Sequence, residues 1–333
     1  MRVKVDDGAL SGRRLNNPDQ LGCAYVALHG IPHQMLDEVE RFLVPLRKAR
    51  NKRNAEMVGR INEIASRLDI SITFDDVLAL SSFEKGGGVT ERHVLFALVN
   101  ALIRKYPDRE ECIKAVEALS CAELPENKKK ALLTAPDEFY SYDLLGIMKS
   151  GLIERIYIPA TEELPDIRAF TALASRVGAI SAYAYLGDVG ESPTGDKRAQ
   201  KFEDDYLDEL FVKLKDFGFN AVTFMPSRNT AAQLDRVMSL CKEHGFFMIS
   251  GEDINSPRQS FICNAAEDEK FSILKKATWA LIGHEALASE DIENAMFKPD
   301  GKNASMSLEE KLEYYSGIGK NIEKEYIRGK KNG

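Results

Sequence analysis

ISAYAYLGDVGESPTGDKRAQKFEDDYLDELFVKLKDFGFNAVTFMPSRNTAAQLDRVMSLCKEHGFFMIS, residues 180–250, alternates short β-branched or aromatic runs with amphipathic stretches of helical period. ISAYAYL (180–186), NAVTFMP (220–226) and FFMIS (246–250) have the composition of strands. The stretches 203–217 and 230–244 repeat apolar residues every three or four positions and stop at Gly218 and Gly245, where a left-handed residue ends a helix. Strands joined through helices in this way run parallel, because only a long crossover returns the chain to the same end of the sheet. This rhythm predicts an α/β fold.

The pattern extends on both sides. IYIPA (156–160) reads as another strand, DIRAFTALASRVG (166–178) as a helix stopped at Gly178, and 267–283 as a further helix. Ser307 with Glu310 forms a capping box for a last helix carrying Leu308, Leu312 and Tyr315, which runs into a basic end, RGKKNG, expected to fray. Residues before 151 differ. LGCAYVALHG (21–30) reads as a strand, but 34–68 is helical, with Met57, Ile61, Ile64 and Leu68 along one face. Pro45 is expected to open a second helix there rather than sit inside one. TERHVLFALVNALI (90–103) is a helix with Thr90 as its N-cap, and further helices occupy 109–118 and 125–149, broken at Pro125 and Pro136. The expected organisation is an α/β domain built from 1–33 and 151–300, an all-helical insertion over 34–150, and a C-terminal helix and tail over 301–333.

A chain of 333 residues with 44% hydrophobic and 29% charged residues can bury a sizeable core. Its formal charge of −7 argues against coating nucleic acid, which needs clustered positive charge. The basic series Arg47, Lys48, Arg50, Lys52, Arg53 and Arg60 reads as a solvated helix face ahead of a polyanion site. Cys23, Cys112, Cys121, Cys241 and Cys263 are odd in number and scattered, with no C-x-x-C pair. No apolar run of about 18 residues occurs, and MRVKVDDGALSGRR lacks a signal-peptide core, so the expected location is cytoplasmic with no membrane partner.

Parallel α/β folds place their chemistry in loops leaving the C-terminal strand ends. Here those loops are GDVGESPTGDKRAQKFEDD (187–205), SRNT (227–230) and GEDINSPRQSF (251–261), all rich in carboxylates, amides and cations. Glu252, Asp253 and Asn255 present hard oxygens suited to a divalent metal or a substrate hydroxyl. Asp188, Glu191 and Asp196 are candidates for acid–base work, and Lys197, Arg228 and Asn229 for holding a substrate's anionic group; surface ion pairing explains the cations equally well. His93 is open between a core or capping role and a substrate contact. His29 and His33 are separated by Pro32 and do not share a helical face, and His284 sits near a helix end, where a structural role is the simpler account.

GEDIN (251–255) resembles the G-x-D-x-H strand end of the PHP (polymerase and histidinol phosphatase) family, with Asn255 where the histidine stands. FLVPLRKARNKRNAEMVGRINEIASRLDISITFDDV (42–77) and GGGVTERHVLFALVNAL (86–102) are similar to the helical insertion of PHP phosphoesterases, in which a histidine-bearing helix matches the one holding His93. GRRLNNPDQLGCAYVALHGI (12–31) resembles the strand entering that insertion, so the likeness spans most of 12–297. It implies a (β/α)7 barrel of parallel strands with a helical insertion, a site of zinc, manganese or iron to which Asp253 would contribute, and hydrolysis of a phosphorylated or polyhydroxylated small molecule. Asp253, Glu252 and Asp188 would then carry catalysis, with Lys197, Arg228, Asn229, Asn255, Asp196 and His93 binding substrate. The family's first-strand H-x-H occurs nowhere in the chain, and its A-H-P-like strand end falls in SAYAYLGD, at Tyr183 or Tyr185. The barrel is therefore expected to be incomplete, with the start codon upstream of Met1 or with a sheet edge exposed for pairing with another copy. The alternative function is a non-catalytic ligand-binding or assembly protein built on the same fold.

Overall fold

The computed structural model of this chain describes residues 1–190 and 200–331. In order they form β1 (Arg2–Lys4), β2 (Cys23–His29), α1 (Leu36–Ala65), α2 (Phe74–Ala79), α3 (Glu91–Lys105), α4 (Arg109–Ser120), α5 (Glu126–Leu133), α6 (Asp137–Ile156), α7 (Ile167–Val177), β3 (Ile180–Ala184), α8 (Leu207–Phe217), β4 (Ala221–Phe224), α9 (Ala231–His244), β5 (Phe247–Ser250), α10 (Ser272–Glu290) and α11 (Leu308–Lys331). They make two compact units: Met1–Leu43, Leu164–Asp253 and Phe261–Gly333 in the first, Val44–Glu163 and Ile254–Ser260 in the second.

The first unit is built on a five-stranded sheet of order β1-β2-β3-β4-β5. The parallel expectation holds for β3, β4 and β5, in register Tyr183↔Val222 and Val222↔Met248. It fails for β1 and β2, which run antiparallel, Val26 pairing with Tyr183. Two antiparallel strands end the sheet at β1, so among the described residues it is an open α/β sheet and not a closed barrel. The β1 edge is hydrogen-bonded in turn by the chain ahead of α7, Lys4 N donating to Pro165 O at 2.8 Å. At the other edge the side chains of Phe247, Met248 and Ile249 in β5 are buried.

Both faces of the parallel strands are covered, which is why these strands read as nearly continuous apolar runs. Tyr183, Val222, Phe224 and Met248 face a core shared with α8 and α9, where Phe211, Leu214, Val237 and Phe246 are buried. The alternate residues Ile180, Ala182, Ala221, Phe247 and Ile249 pack with Ala277 and Ala280 of α10 and Tyr315 of α11. Each large side chain buried this way contributes about 1.5–3 kcal/mol. The helices stop as their glycines predict, Gly178, Gly218 and Gly245 all having positive φ. Ser307 and Glu310 make their capping box, and α11 runs through Lys331; the last two residues of RGKKNG lie outside the described residues.

The second unit is helical and packs around Ile61, Val94, Leu98, Leu102, Val116, Leu144 and Leu152. Three expectations are corrected. Pro45 lies inside α1 and does not start a helix. Its missing N–H costs about 3 kcal/mol in a helix interior, but α1 is anchored on both sides of it, by Val39 and Phe42 in one cluster and by Val58 and Ile61 in another. IYIPA is not a strand: Ile156 is the last residue of α6 and is fully buried among the helices, so the apolar run feeds a helical core. Arg53 is not part of a solvated face, being 7% exposed. Its guanidinium meets Glu163 at 2.7 Å and Glu91 at 2.8 Å, and Arg50 also reaches Glu163 at 3.1 Å. Among the described residues no helix is long and apolar enough to cross a membrane.

Candidate functional site

The ends of β3, β4 and β5 lead into the loops singled out from the sequence, and the first is folded back on itself. After β3 the chain turns at Leu186, Gly187 and Asp188, and a set of side chains takes up the backbone groups of that turn. The carbonyl of Leu186 accepts from Arg228 Nη1 and Asn229 Nδ2, both at 2.8 Å. A carboxylate oxygen of Glu203 accepts from Leu186 N at 2.8 Å and from Gly187 N at 3.4 Å. Asp204 accepts from Asp188 N at 2.9 Å, from Gln233 Nε2 at 2.7 Å and from Tyr185 Oη at 2.6 Å. Gly187 has φ +72°, and a Cβ there would lie 2.8 Å from both Gln233 Nε2 and Tyr185 Oη. Any other residue there would be strained by the positive φ and would have to push aside the ends of those two side chains.

Two groups in this cluster have unusual surroundings. Glu203 is fully buried, and its Oε2 has no hydrogen-bond partner. Burial pushes its carboxyl up to about 7, against the opposing effect of the Leu186 and Gly187 N–H donors, while the neighbouring Asp204 adds to the rise. The buried Tyr183 hydroxyl is also without a partner, and Glu203 is among the charges that raise its pKa, after desolvation. Burial lowers the pKa of Arg228, while the charges of Asp253 and then Glu203 pull it back up.

The other expected residues are placed as follows. Asp188 is committed locally, accepting from Phe202 N at 2.7 Å and pairing with Lys201 at 2.8 Å. Asn229 uses both ends of its amide, since its Oδ1 also accepts from Met225 N at 3.1 Å. Glu252 is exposed and accepts from the Ser227 hydroxyl. Asp253 is exposed and faces Arg228 electrostatically. Glu191, Asp196 and Lys197 lie outside the described residues. Asn255 and His93 belong to the second unit. There Asn255 O accepts from Arg92 at 2.9 Å, and His93 Nδ1 accepts from Thr90 N at 3.1 Å to complete the cap of α3. The structure thus brings Arg228, Asp253, Glu252 and Asp188 to one end of the sheet.

Glu203 and Asp204 are what the sequence reading missed. They stand where the polar loop 187–205 overlaps the start of the helix expected over 203–217, flanked by Phe202, 5% exposed, and Leu207, fully buried. Apolar residues bracketing a carboxylate pair are the available signal that the pair points inward.

The family resemblance implies a two- or three-metal centre, and the donor set does not fit one. Among the described residues no group of three or more His, Cys, Asp or Glu side chains could hold a metal ion. No imidazole joins Asp253. His244 packs against Phe211 and Phe246 beyond the N-terminal end of β5. His284 is fully buried, its Nε2 donating to Gly30 O at 2.9 Å and its Nδ1 accepting from Met296 N at 3.0 Å. Oxygen ligands alone bind zinc or iron far less well than sets containing imidazole.

No protein-family model matches this sequence, and no curated protein matches it. Two solved structures are similar in backbone. One, assigned as a metal-dependent phosphoesterase of Bifidobacterium adolescentis, is 18% identical with a TM-score of 0.42 over 75% of this chain and 68% of its own. The other, an amidohydrolase of Chromobacterium violaceum with bound sulfate and no metal, is 11% identical with a TM-score of 0.40 over 74% of this chain and 66% of its own. This chain therefore spans about two thirds of each. The functional reading rests on this chain's own side chains.

Proposed function

We propose that this protein binds a phosphorylated or polyhydroxylated small molecule at the C-terminal ends of β3, β4 and β5, without a transition metal. Arg228 takes the anionic group, and Glu252 and Asp253 accept hydroxyl hydrogens. The observation that carries this reading is the setting of Arg228, a partly buried guanidinium that donates to Leu186 O and has further donors left for a ligand. A partly desolvated guanidinium suits a phosphate, which it meets in a two-pronged geometry. This is the ligand-binding form of the hydrolase-like fold that the family resemblance suggests. A second reading, metal-independent hydrolysis, is favoured by Glu203, whose carboxyl gains and loses its proton near neutral pH, as an acid–base group must.

Calorimetric titration with glucose 6-phosphate, glycerol 3-phosphate and inorganic phosphate in the presence of EDTA tests the binding reading. Saturable binding that weakens at least tenfold in Arg228→Met and partly returns in Arg228→Lys is expected. Binding that requires added zinc, manganese or iron, or an Arg228→Met affinity equal to the parent's, overturns it. Phosphate release from the same compounds in EDTA, reduced in Glu203→Gln, would support the hydrolytic reading; no release would leave ligand binding as the function.

A further inference from the structure

The loop leaving β5 carries Glu252 and Asp253 into a stretch that folds on itself. Asn255 N and Ser256 N donate to Gln259 Oε1 at 2.6 and 3.1 Å, and Gln259 N donates to Ser256 O at 3.0 Å. The ring of Pro257 fixes φ inside this turn. No residue of the knuckle, 255–259, is buried, so apolar packing does not set its place.

Polar contacts hold it instead. Arg258 Nε and Nη2 donate to the two oxygens of Asp143 at 3.0 and 2.8 Å, and its guanidinium lies 4.5 Å from the ring centroid of Phe139. Phe139 and Asp143 stand one turn apart on α6, so ring and carboxylate meet the same cation. Phe139 is outside the apolar cluster of the helices, which leaves its ring to the guanidinium. A second tie comes from α3, where Arg92 donates to Asn255 O at 2.9 Å. A two-pronged pair stacked on a ring fixes direction as well as distance, which a lone surface ion pair does not. Residues 254–260 accordingly group with the helices of the second unit, and the peptide bond from Asp253 to Ile254 joins them to the strand end.

We propose that Asp143 and Phe139 are positioning residues for the site at β5: they make no contact with the ligand, but by latching the knuckle they fix how Glu252 and Asp253, immediately upstream, present their carboxylates to its hydroxyls. The inference rests on the ligand-binding reading above. With the latch open, the ligand itself must order the loop, and that entropy is taken from its affinity. A bare anion held through Arg228 does not need the two carboxylates, so the latch acts on the selection of a hydroxyl-bearing anion over a simple one.

Calorimetric titration of the full chain in EDTA with glucose 6-phosphate and with inorganic phosphate, on Asp143→Asn, Arg258→Gln and the double variant, tests it. Glucose 6-phosphate is expected to bind at least threefold more weakly in each single variant and no more weakly in the double, as for two ends of one contact. Inorganic phosphate is expected to bind all of them as it binds the parent. Amide hydrogen exchange in a peptide spanning 251–262 is expected to quicken in Asp143→Asn while α3 keeps its protection, which separates a loosened knuckle from a destabilised helical unit. An unchanged glucose 6-phosphate affinity in Asp143→Asn, losses that add in the double variant, or equal losses for both ligands would overturn the positioning role and leave the Arg228 reading standing. A parent chain that binds neither ligand would overturn the site itself and the positioning role with it.

Discussion

A Cβ added to Gly283 of α10 would lie 2.0 Å from the carbonyl oxygen of Tyr315 in α11, so these helices touch backbone to backbone. Gly319 repeats the relationship, a Cβ there falling 2.1 Å from Trp279 O. Neither obstacle is a flexible side-chain end, so the helices must separate to admit a methyl group. Overpacking of this kind costs about 1–3 kcal/mol, and the helix propensity regained by alanine returns at most about 1 kcal/mol. Gly283→Ala is therefore expected to lower the melting temperature. Gly146, exposed within α6 with nothing within 4 Å of its added Cβ, is the control: Gly146→Ala is expected to raise it. A Gly283→Ala protein as stable as the parent would show that α10 and α11 do not cross at this point.

Two buried titratable groups in the first unit give opposite slopes of stability against pH. Burial holds His284 down to about 4, from 6.5, so its contribution is full above about 6.5 and is lost as the pH falls toward 4. Burial holds Glu203 up at about 7, from 4.5, so its contribution is full below about 4.5 and is lost as the pH rises through 7. The losses oppose each other across the same window. Glu203→Gln keeps a neutral acceptor for the Leu186 and Gly187 N–H groups and removes the alkaline loss. Thermal unfolding between pH 4.5 and 8.5 is expected to show the variant's advantage over the parent growing up to about pH 7 and then levelling off. Parallel curves for the two proteins would mean that Glu203 is ionised in the fold at all these pH values.

The alternation of strand and helix over 180–250 was legible because both faces of β3, β4 and β5 are covered, so local composition and tertiary demand agree. The direction of β2 was not legible. CAYVALH has strand composition whichever way it pairs, and its antiparallel register follows from which chain arrives beside β3. Pro45 and Ile156 misled for a related reason: local rules favour a break and a strand there, and long-range packing of α1 and α6 overrides both. At the site, loop polarity located the correct strand ends and the exposed Asp253. It did not reveal Glu203, because that carboxylate is buried against the turn after β3, where it accepts from Leu186 N and Gly187 N, a contact set by the fold and not by loop polarity.

In the second unit, Arg53 and Glu163 form a buried pair at 2.7 Å, with exposures of 7% and 1% for the two side chains. Arg53 Nη1 also donates to Ile158 O at 2.9 Å, so one cation ties α1 to the chain following α6. Removing one partner of such a pair costs about 3–5 kcal/mol because the other charge is left buried. Glu163→Gln is expected to destabilise the second unit by roughly that amount, partly relieved because Glu91 still faces Arg53. Amide hydrogen exchange in peptides spanning 50–60 and 152–160 reads this out directly. Unchanged protection in both peptides would contradict a structural role for the pair.

Glu203 also bears on the proposed anion site, because its carboxylate is one of the charges that act on Arg228. As the pH rises through about 7 the buried carboxyl ionises, and Arg228 gains a second negative neighbour beside Asp253. Its attraction for an incoming anion is thereby weakened. A phosphate ligand would obscure this, since its own second ionisation falls near pH 6. A sulfate monoester such as glucose 6-sulfate keeps a constant charge over the range. Its affinity is expected to fall several-fold between pH 6 and 8 in the parent and to stay flat in Glu203→Gln, with the variant matching the parent's low-pH value. A decline of equal size in both proteins would assign the dependence to another group and remove Glu203 from the account of the site.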